Sequence, residues 1–277
     1  MFYSTLSFIF YAIDSLSLGY YKSAIEVGLY NTAVPIAALL TFIPELFMQL
    51  FFPLINREYS NQKKELIMKL SKQVTKWIFM VTLPIALLIF IFPGAVLNLI
   101  FGAKYLEAQT ALRFLLVGSF ISALFTVSNN LISMLGKSRL ILYNLLITST
   151  INLILNSVLI PKATIFSINN SNGLVGAALA TLISIIFLNI LFVFQTKKYL
   201  SFIPLKRKMI PIALISIIPM LILFYLRSKI AVTLGAIAIL TLLFLLIYIL
   251  LVLITSSLDE NDWMIIKIIL KKISKKN

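Results

Sequence analysis

The chain has 277 residues, of which 61% are hydrophobic and 12% charged; so little polar surface excludes a water-soluble globule and points to a polytopic membrane protein. A formal net charge of +15 would suggest nucleic acid in a soluble domain, but beside membrane spans it marks contact with anionic headgroups, so membrane lipids are the expected partner and nucleic acid is not. With no Cys and no His, the chain has no disulfide, no metal ligand of those types and no imidazole for acid/base work, so neither a cofactor nor enzyme activity is expected.

Eight apolar blocks follow in chain order, at residues 1–20, 27–55, 74–99, 111–135, 140–160, 174–195, 209–226 and 230–255. Each is long enough to cross roughly 30 Å of hydrocarbon as a helix rising about 1.5 Å per residue. A membrane β-barrel would instead show alternating segments of about 10 residues, and none is present. The fold class is therefore an all-α polytopic membrane protein with eight transmembrane helices. The first block lacks a basic lead-in and a small-residue cleavage site, unlike a cleavable signal peptide, and starts abruptly, like the interior of a longer chain.

The loops and tail hold 1, 6, 2, 2, 1, 5, 2 and 5 Lys plus Arg in chain order, so alternate segments total 18 against 6. Positive charge is retained on the cytoplasmic side. Both termini are accordingly expected there, in the cytoplasmic (plasma) membrane. In segment 56–76, Leu66, Ile67, Leu70 and Val74 recur at helical spacing among Lys63, Lys64, Lys69, Lys72 and Lys76, which predicts an amphipathic helix on the membrane surface. The tail, 256–277, repeats the pattern: Asp259, Glu260 and Asp262 precede Met264, Ile265, Ile269 and Ile273, with Lys271, Lys272, Lys275 and Lys276 at the end, as suits a helix dipole. Loop 161–173 is polar, lies on the expected outer side and carries the glycosylation triplet Asn169-Asn170-Ser171.

A charge within hydrocarbon costs about 2.5–3.5 kcal/mol on insertion scales, which makes the two acids inside spans, Asp14 and Glu45, candidate functional groups. Each has a plainer reading, Asp14 as a solvated residue at a helix end and Glu45 as an acid hydrogen-bonded to a neighbouring helix. Glu45 shares its block with Pro35, Pro44 and Pro53, each of which removes a backbone donor, so irregular backbone is expected there. In the fourth block Ser119, Ser122, Thr126, Asn129 and Ser133 fall on one helical face, with Asn130 adjacent. In the fifth, Asn144, Thr148, Asn152 and Asn156 recur every fourth residue. Such stripes either bond neighbouring helices or line an aqueous cavity. The last two blocks are nearly bare of polar groups and are expected to face lipid.

Several segments, in order, resemble the C-terminal half of polysaccharide flippases of the multidrug/oligosaccharidyl-lipid/polysaccharide exporter superfamily. They are Asp14 with Leu18-Gly19-Tyr20 and Glu26 to Asn31, then Phe52-Pro53-Leu54-Ile55, then Phe101-Gly102-Ala103-Lys104-Tyr105 with Leu112-Arg113. Asn130-Leu131 with Leu135-Gly136-Lys137, Asn152 to Asn156 with Ile160-Pro161, and Gly173 to Thr181 complete the series. The resemblance implies a six-helix transporter lobe at 1–195, an additional helix pair at 196–255 and the cytoplasmic tail at 256–277. It also implies movement of a lipid-linked oligosaccharide by alternating access, driven by an ion gradient, with the cargo held between two lobes.

On that analogy Asp14, Glu45, Asn129, Asn130, Asn144, Asn152 and Asn156 face the cargo or ion pathway, and Asn amides suit sugar hydroxyls because they both donate and accept. Lys22 could meet a pyrophosphate. The family's first six helices have no counterpart here, so an N-terminal lobe on a longer or separate chain is an expected partner. Two alternatives stand beside this reading: a drug or lipid II exporter of the same superfamily, and a membrane-embedded glycan- or lipid-modifying enzyme.

Overall fold

A computed structural model describes the backbone of residues 2–229 and 234–255 and the side chains of residues 12–226 and 235–255. The protein is an all-α polytopic membrane protein. Seven of the described helices, the first of them Ala24–Ser60, are long and apolar enough to cross a membrane; they are preceded by α1 (Phe2–Tyr21), 20 residues long. The chain divides into two compact units, 1–206 and 207–277.

In the first unit, α1 turns through Lys22 into α2 (Ala24–Ser60). Ser23 caps α2: its Oγ accepts from the Ile25 N–H at 3.2 Å, and the Glu26 carboxylate accepts from the Ser23 N–H at 3.1 Å, a reciprocal capping box. The 37 residues of α2 span about 55 Å at 1.5 Å per residue, well beyond the hydrocarbon thickness. Pro35, Pro44 and Pro53 all lie inside this helix, which continues unbroken through them. The irregularity expected around Glu45 does not end the helix: each proline removes one backbone donor, and the helix continues on either side.

A tight turn at Asn61–Lys63, with Gln62 at φ 56°, leads into α3 (Lys64–Ile91). This corrects the expected surface helix over 56–76, whose first part completes α2 while the rest begins α3. Part of the apolar face of that segment is covered by the protein itself, although Leu66 stays exposed. Ile67 and Val74 pack with Met48, Ile55, Ile78, Val127 and Leu131 in a buried cluster. Helical amphipathicity requires a face to be covered and is silent on whether lipid or protein covers it.

The third apolar block breaks at Phe92, because the residue before a proline is pushed out of the helical region. Pro93 then opens a second, short helix, α4 (Pro93–Phe101). A two-turn 3-10 segment, Ala103–Ala108, joins it to α5 (Gln109–Met134). Beyond the turn at Gly136 lie α6 (Ser138–Leu159), a two-stranded antiparallel hairpin of β1 (Thr164–Ile165) and β2 (Ile168–Asn169), and α7 (Leu174–Leu200). Phe166 and Ser167 at the hairpin tip both have positive φ, the conformation of the tight hairpin turns that match strand twist.

Helix α5 is the hub of this unit, packing most extensively on α7 and α2 and also on α3. Close packing of α6 on α7 depends on small residues. A Cβ built on Gly176 would lie 2.5 Å from the Leu159 carbonyl oxygen, and Ala177, Ala178 and Ala180 are all buried. Asn170 secures the same junction. Its Nδ2 donates to the Leu159 and Lys162 carbonyls at 3.0 and 2.7 Å, and its Oδ1 accepts from the Gly176 N–H at 2.8 Å.

The second unit contains α8 (Met209–Lys229), with Pro219 inside it, and α9 (Leu234–Ile254), which pack on each other. Phe244 and Tyr248 stack along one face of α9 with centroids 6.4 Å apart. The expected amphipathic tail, 256–277, lies outside the described residues.

Candidate functional site: a polar track through the first unit

Asp14 is 5% exposed, so it is not a residue solvated at a helix end. Three donors from three other helices converge on its carboxylate: Tyr30 Oη from α2 at 2.7 Å, Asn156 Nδ2 from α6 at 2.8 Å and Thr181 Oγ1 from α7. Asn156 Nδ2 also donates to Asn152 Oδ1 at 3.1 Å, and Asn152 Nδ2 reaches Thr181 Oγ1 at 3.4 Å. A carboxylate is acceptor-only when ionised, and donors from all sides supply what water would otherwise provide. Asn156 Oδ1 is buried without a hydrogen-bond partner in this knot.

Glu45 is exposed, two-thirds of the way along α2. It lines two adjoining clefts. One, of about 360 Å³, runs from Asp14, Tyr30 and Thr181 past Thr41 and Ser119 to Glu45. The other, of about 280 Å³, continues from Thr41 and Glu45 to Asn129, Asn130 and Asn189. Thr41, Glu45 and Ser122 belong to both. Together they make one polar track that joins the two intramembrane acids to the amides of α5. Asn130 secures its own orientation by donating to the Thr126 carbonyl at 2.9 Å.

The stripe on α6 has a different setting. Asn144, Asn152 and Asn156 are all buried. Asn144 and Gln195 of α7 exchange two amide hydrogen bonds, at 2.9 and 2.8 Å. The structure therefore gathers Asp14, Asn152 and Asn156 into one knot and Glu45, Asn129 and Asn130 into one cleft, and places Asn144 apart in an amide pair. Lys22 Nζ donates to the Ser171 carbonyl at 2.8 Å, fastening the α1–α2 turn to the segment after the hairpin.

Tyr30, Thr41, Thr181, Asn189 and Gln195 complete these arrangements, yet none stands out as a candidate from the sequence. Tyr and Thr are ordinary residues in apolar helices, and no periodicity within one helix links Asp14 to Tyr30, 16 residues on, or to Thr181, 167 residues on. Tyr30 and Thr181 do fall within two of the segments that carry the family resemblance. Among the described residues no group of three or more Asp or Glu could hold a metal ion.

The first unit keeps carboxylate, hydroxyl and amide groups along two adjoining clefts between its helices, an arrangement that is costly in hydrocarbon unless the groups serve a function. The chain belongs to the MatE family, whose profile matches residues 1–158, from α1 through nearly all of α6. That family consists of membrane transporters of the multidrug/oligosaccharidyl-lipid/polysaccharide exporter superfamily. A curated relative from Methanocaldococcus jannaschii, described as an uncharacterized membrane protein, is 24% identical over 181 residues, covering 65% of this chain and 34% of that protein. The matched part therefore spans about a third of the relative's length. No solved structure matches the chain.

Proposed function

We propose that this chain forms the C-terminal lobe of a flippase that carries a lipid-linked oligosaccharide across the cytoplasmic membrane, working with an N-terminal lobe on a longer or separate chain. The observation that carries this reading is the polar track from Asp14 through Glu45 to Asn129 and Asn130. Its amides and hydroxyls offer donors and acceptors together, which is what a glycan's hydroxyls require. The knot around Asp14 is the ion-coupling element: the unpartnered Asn156 oxygen and the Asp14 carboxylate can share a cation or proton, and its arrival or departure alters the bonds among four helices. The 18-to-6 charge asymmetry supports an orientation with both termini on the cytoplasmic side.

A second reading, a cationic-drug exporter, is favoured by one observation: the exposed carboxylate of Glu45 stands in the cleft with no Lys or Arg lining it. Binding to the purified chain in nanodiscs separates the two. Saturable binding of a polyisoprenyl diphosphate oligosaccharide, weakened by Asn129→Ala and Asn130→Ala, is the expected result. Binding of a lipophilic cation alone, abolished by Glu45→Gln, would replace the flippase reading with the exporter.

A further inference from the structure

Two pairs of cations lie at the end of the first unit that is expected to face the cytoplasm. Lys137 and Arg139 stand where α6 begins, and Lys197 and Lys198 stand in the last turn of α7. The Tyr199 ring links the two pairs: Lys137 Nζ lies 4.3 Å from its centroid and Lys198 Nζ 5.7 Å. Each ammonium is attracted to the ring, but the two repel each other. None of the ion pairs among the described residues includes any of the four cations. The first turn of α6 holds no acid either, and a cation there opposes the helix dipole. The cluster therefore has an unmet demand for negative charge.

Deeper in the membrane the exposed face of α7 is apolar. Ile186, Ile190 and Phe194 fall at steps of four and are all exposed, and the next step is Lys198, also exposed. With Ile121 and Phe125 of α5 they line a groove of about 480 Å³ that ends at Lys197. The run from Ile186 to Lys198 covers about 18 Å of helix, close to the depth of one leaflet. Half-buried Tyr199 has the place of an interfacial aromatic. The closely packed seam of α5 and α7, with Asn189 buried in it, separates this groove from the polar cleft.

A cationic head over an apolar lane on the outside of the helices fits a lipid that stays in the bilayer rather than cargo that crosses it. We propose that this is a binding site for one anionic glycerophospholipid of the surrounding leaflet, its phosphate held between Lys137 and Lys198 at Tyr199 and one acyl chain lying along Phe194, Ile190 and Ile186. Charge complementarity selects the headgroup. A zwitterionic lipid brings a cation of its own to a place that already gathers positive charge, whereas phosphatidylglycerol brings none. Bound there, the lipid bridges the start of α6 and the end of α7, and the site does not depend on which cargo the protein carries.

The test is photo-crosslinking of the full chain in phosphatidylcholine nanodiscs doped with one of two probes, phosphatidylglycerol or phosphatidylcholine, each carrying a diazirine on one acyl chain. The phosphatidylglycerol probe should label the peptide containing Ile186–Phe194 more strongly, and unlabelled phosphatidylglycerol should compete while inorganic phosphate should not. Lys137→Gln and Lys198→Gln should each lower that labelling about fivefold, the factor one Lys supplies beside an anionic headgroup, and Lys137→Arg and Lys198→Arg should retain it. Lys69→Gln is the control for diffuse charge, since Lys69 is exposed on α3 and already paired with Glu65 at 3.4 Å; it should leave labelling unchanged. Equal labelling by the two probes on the unsubstituted chain would overturn the proposal without recourse to any variant. Competition by inorganic phosphate would overturn it too, by making the cluster a site for soluble anions. So would an equal loss in Lys69→Gln, which would leave only the general positive charge of this face.

Discussion

Asn156 of α6 donates its amide to the Asp14 carboxylate of α1 at 2.8 Å, across 142 residues of chain. Both groups are buried, and this bond ties α1 to α6, while Tyr30 and Thr181 add α2 and α7. Removing one donor from a buried acceptor costs the desolvation of what remains, about 1–3 kcal/mol. Asn156→Leu is therefore expected to lower the unfolding midpoint in detergent by that equivalent. The double variant with Asp14→Leu should lose less than the sum of the two single losses, as groups in one hydrogen-bond network do. Strict additivity in that cycle would show that the pair is not coupled.

Helices α6 and α7 approach so closely at Gly176 that even a methyl group meets backbone. Gly176→Ala should destabilise by about 1–3 kcal/mol, the range for overpacking, and Gly176→Leu should abolish folded yield. Gly28 is the matched control, since an added Cβ there has nothing within 4 Å; Gly28→Ala should be neutral or stabilise by about 0.4–1 kcal/mol through the unfolded chain. Thermal scans of the three proteins in one detergent read the difference.

Asn170→Ala removes three hydrogen bonds at once and leaves the Leu159 carbonyl and Gly176 N–H without that partner. The hairpin at Thr164–Asn169 should then open locally while the lobe stays folded, because its own pairing is only two residues per strand. Faster amide exchange at Gly176 and at position 170, together with new protease cleavage near Phe166, is the expected signature. Unchanged exchange would mean that the hairpin is held by other contacts.

Since the chain has no Cys, single cysteines report its orientation without background. Phe166 at the hairpin tip is 88% exposed, and Gln62 lies in the exposed turn between α2 and α3. With both termini cytoplasmic, Phe166→Cys should react with a membrane-impermeant maleimide in intact cells, and Gln62→Cys only after permeabilisation. The reverse pattern would invert the proposed topology.

Much of the fold is legible in the sequence because span length and hydrophobicity are properties of contiguous residues. The boundaries that differ have local causes visible afterwards: Phe92-Pro93 splits the third block, and α2 runs to Ser60 because three prolines weaken its ladder without ending it. The candidate site is legible in part. Asp14 and Glu45 stand out as charges within apolar blocks, and Asn129 as a member of a one-faced stripe with Asn130 adjacent, whereas Tyr30, Thr181 and Asn189 carry no such mark.

Taken alone, the sequence determined that the chain is an α-helical, multi-pass membrane protein, and where its intramembrane charges and amide stripes fall. Tertiary structure decided what those groups meet. The same spacing of polar residues every third or fourth position became a cleft wall at Asn129 and Asn130 and buried interhelical hydrogen bonds at Asn144, Asn152 and Asn156. On the face of 64–76, Ile67 and Val74 found protein while Leu66 stayed exposed. Helical period specifies which residues share a face, but the partner of that face belongs to another helix, often more than a hundred residues away, and only packing selects it.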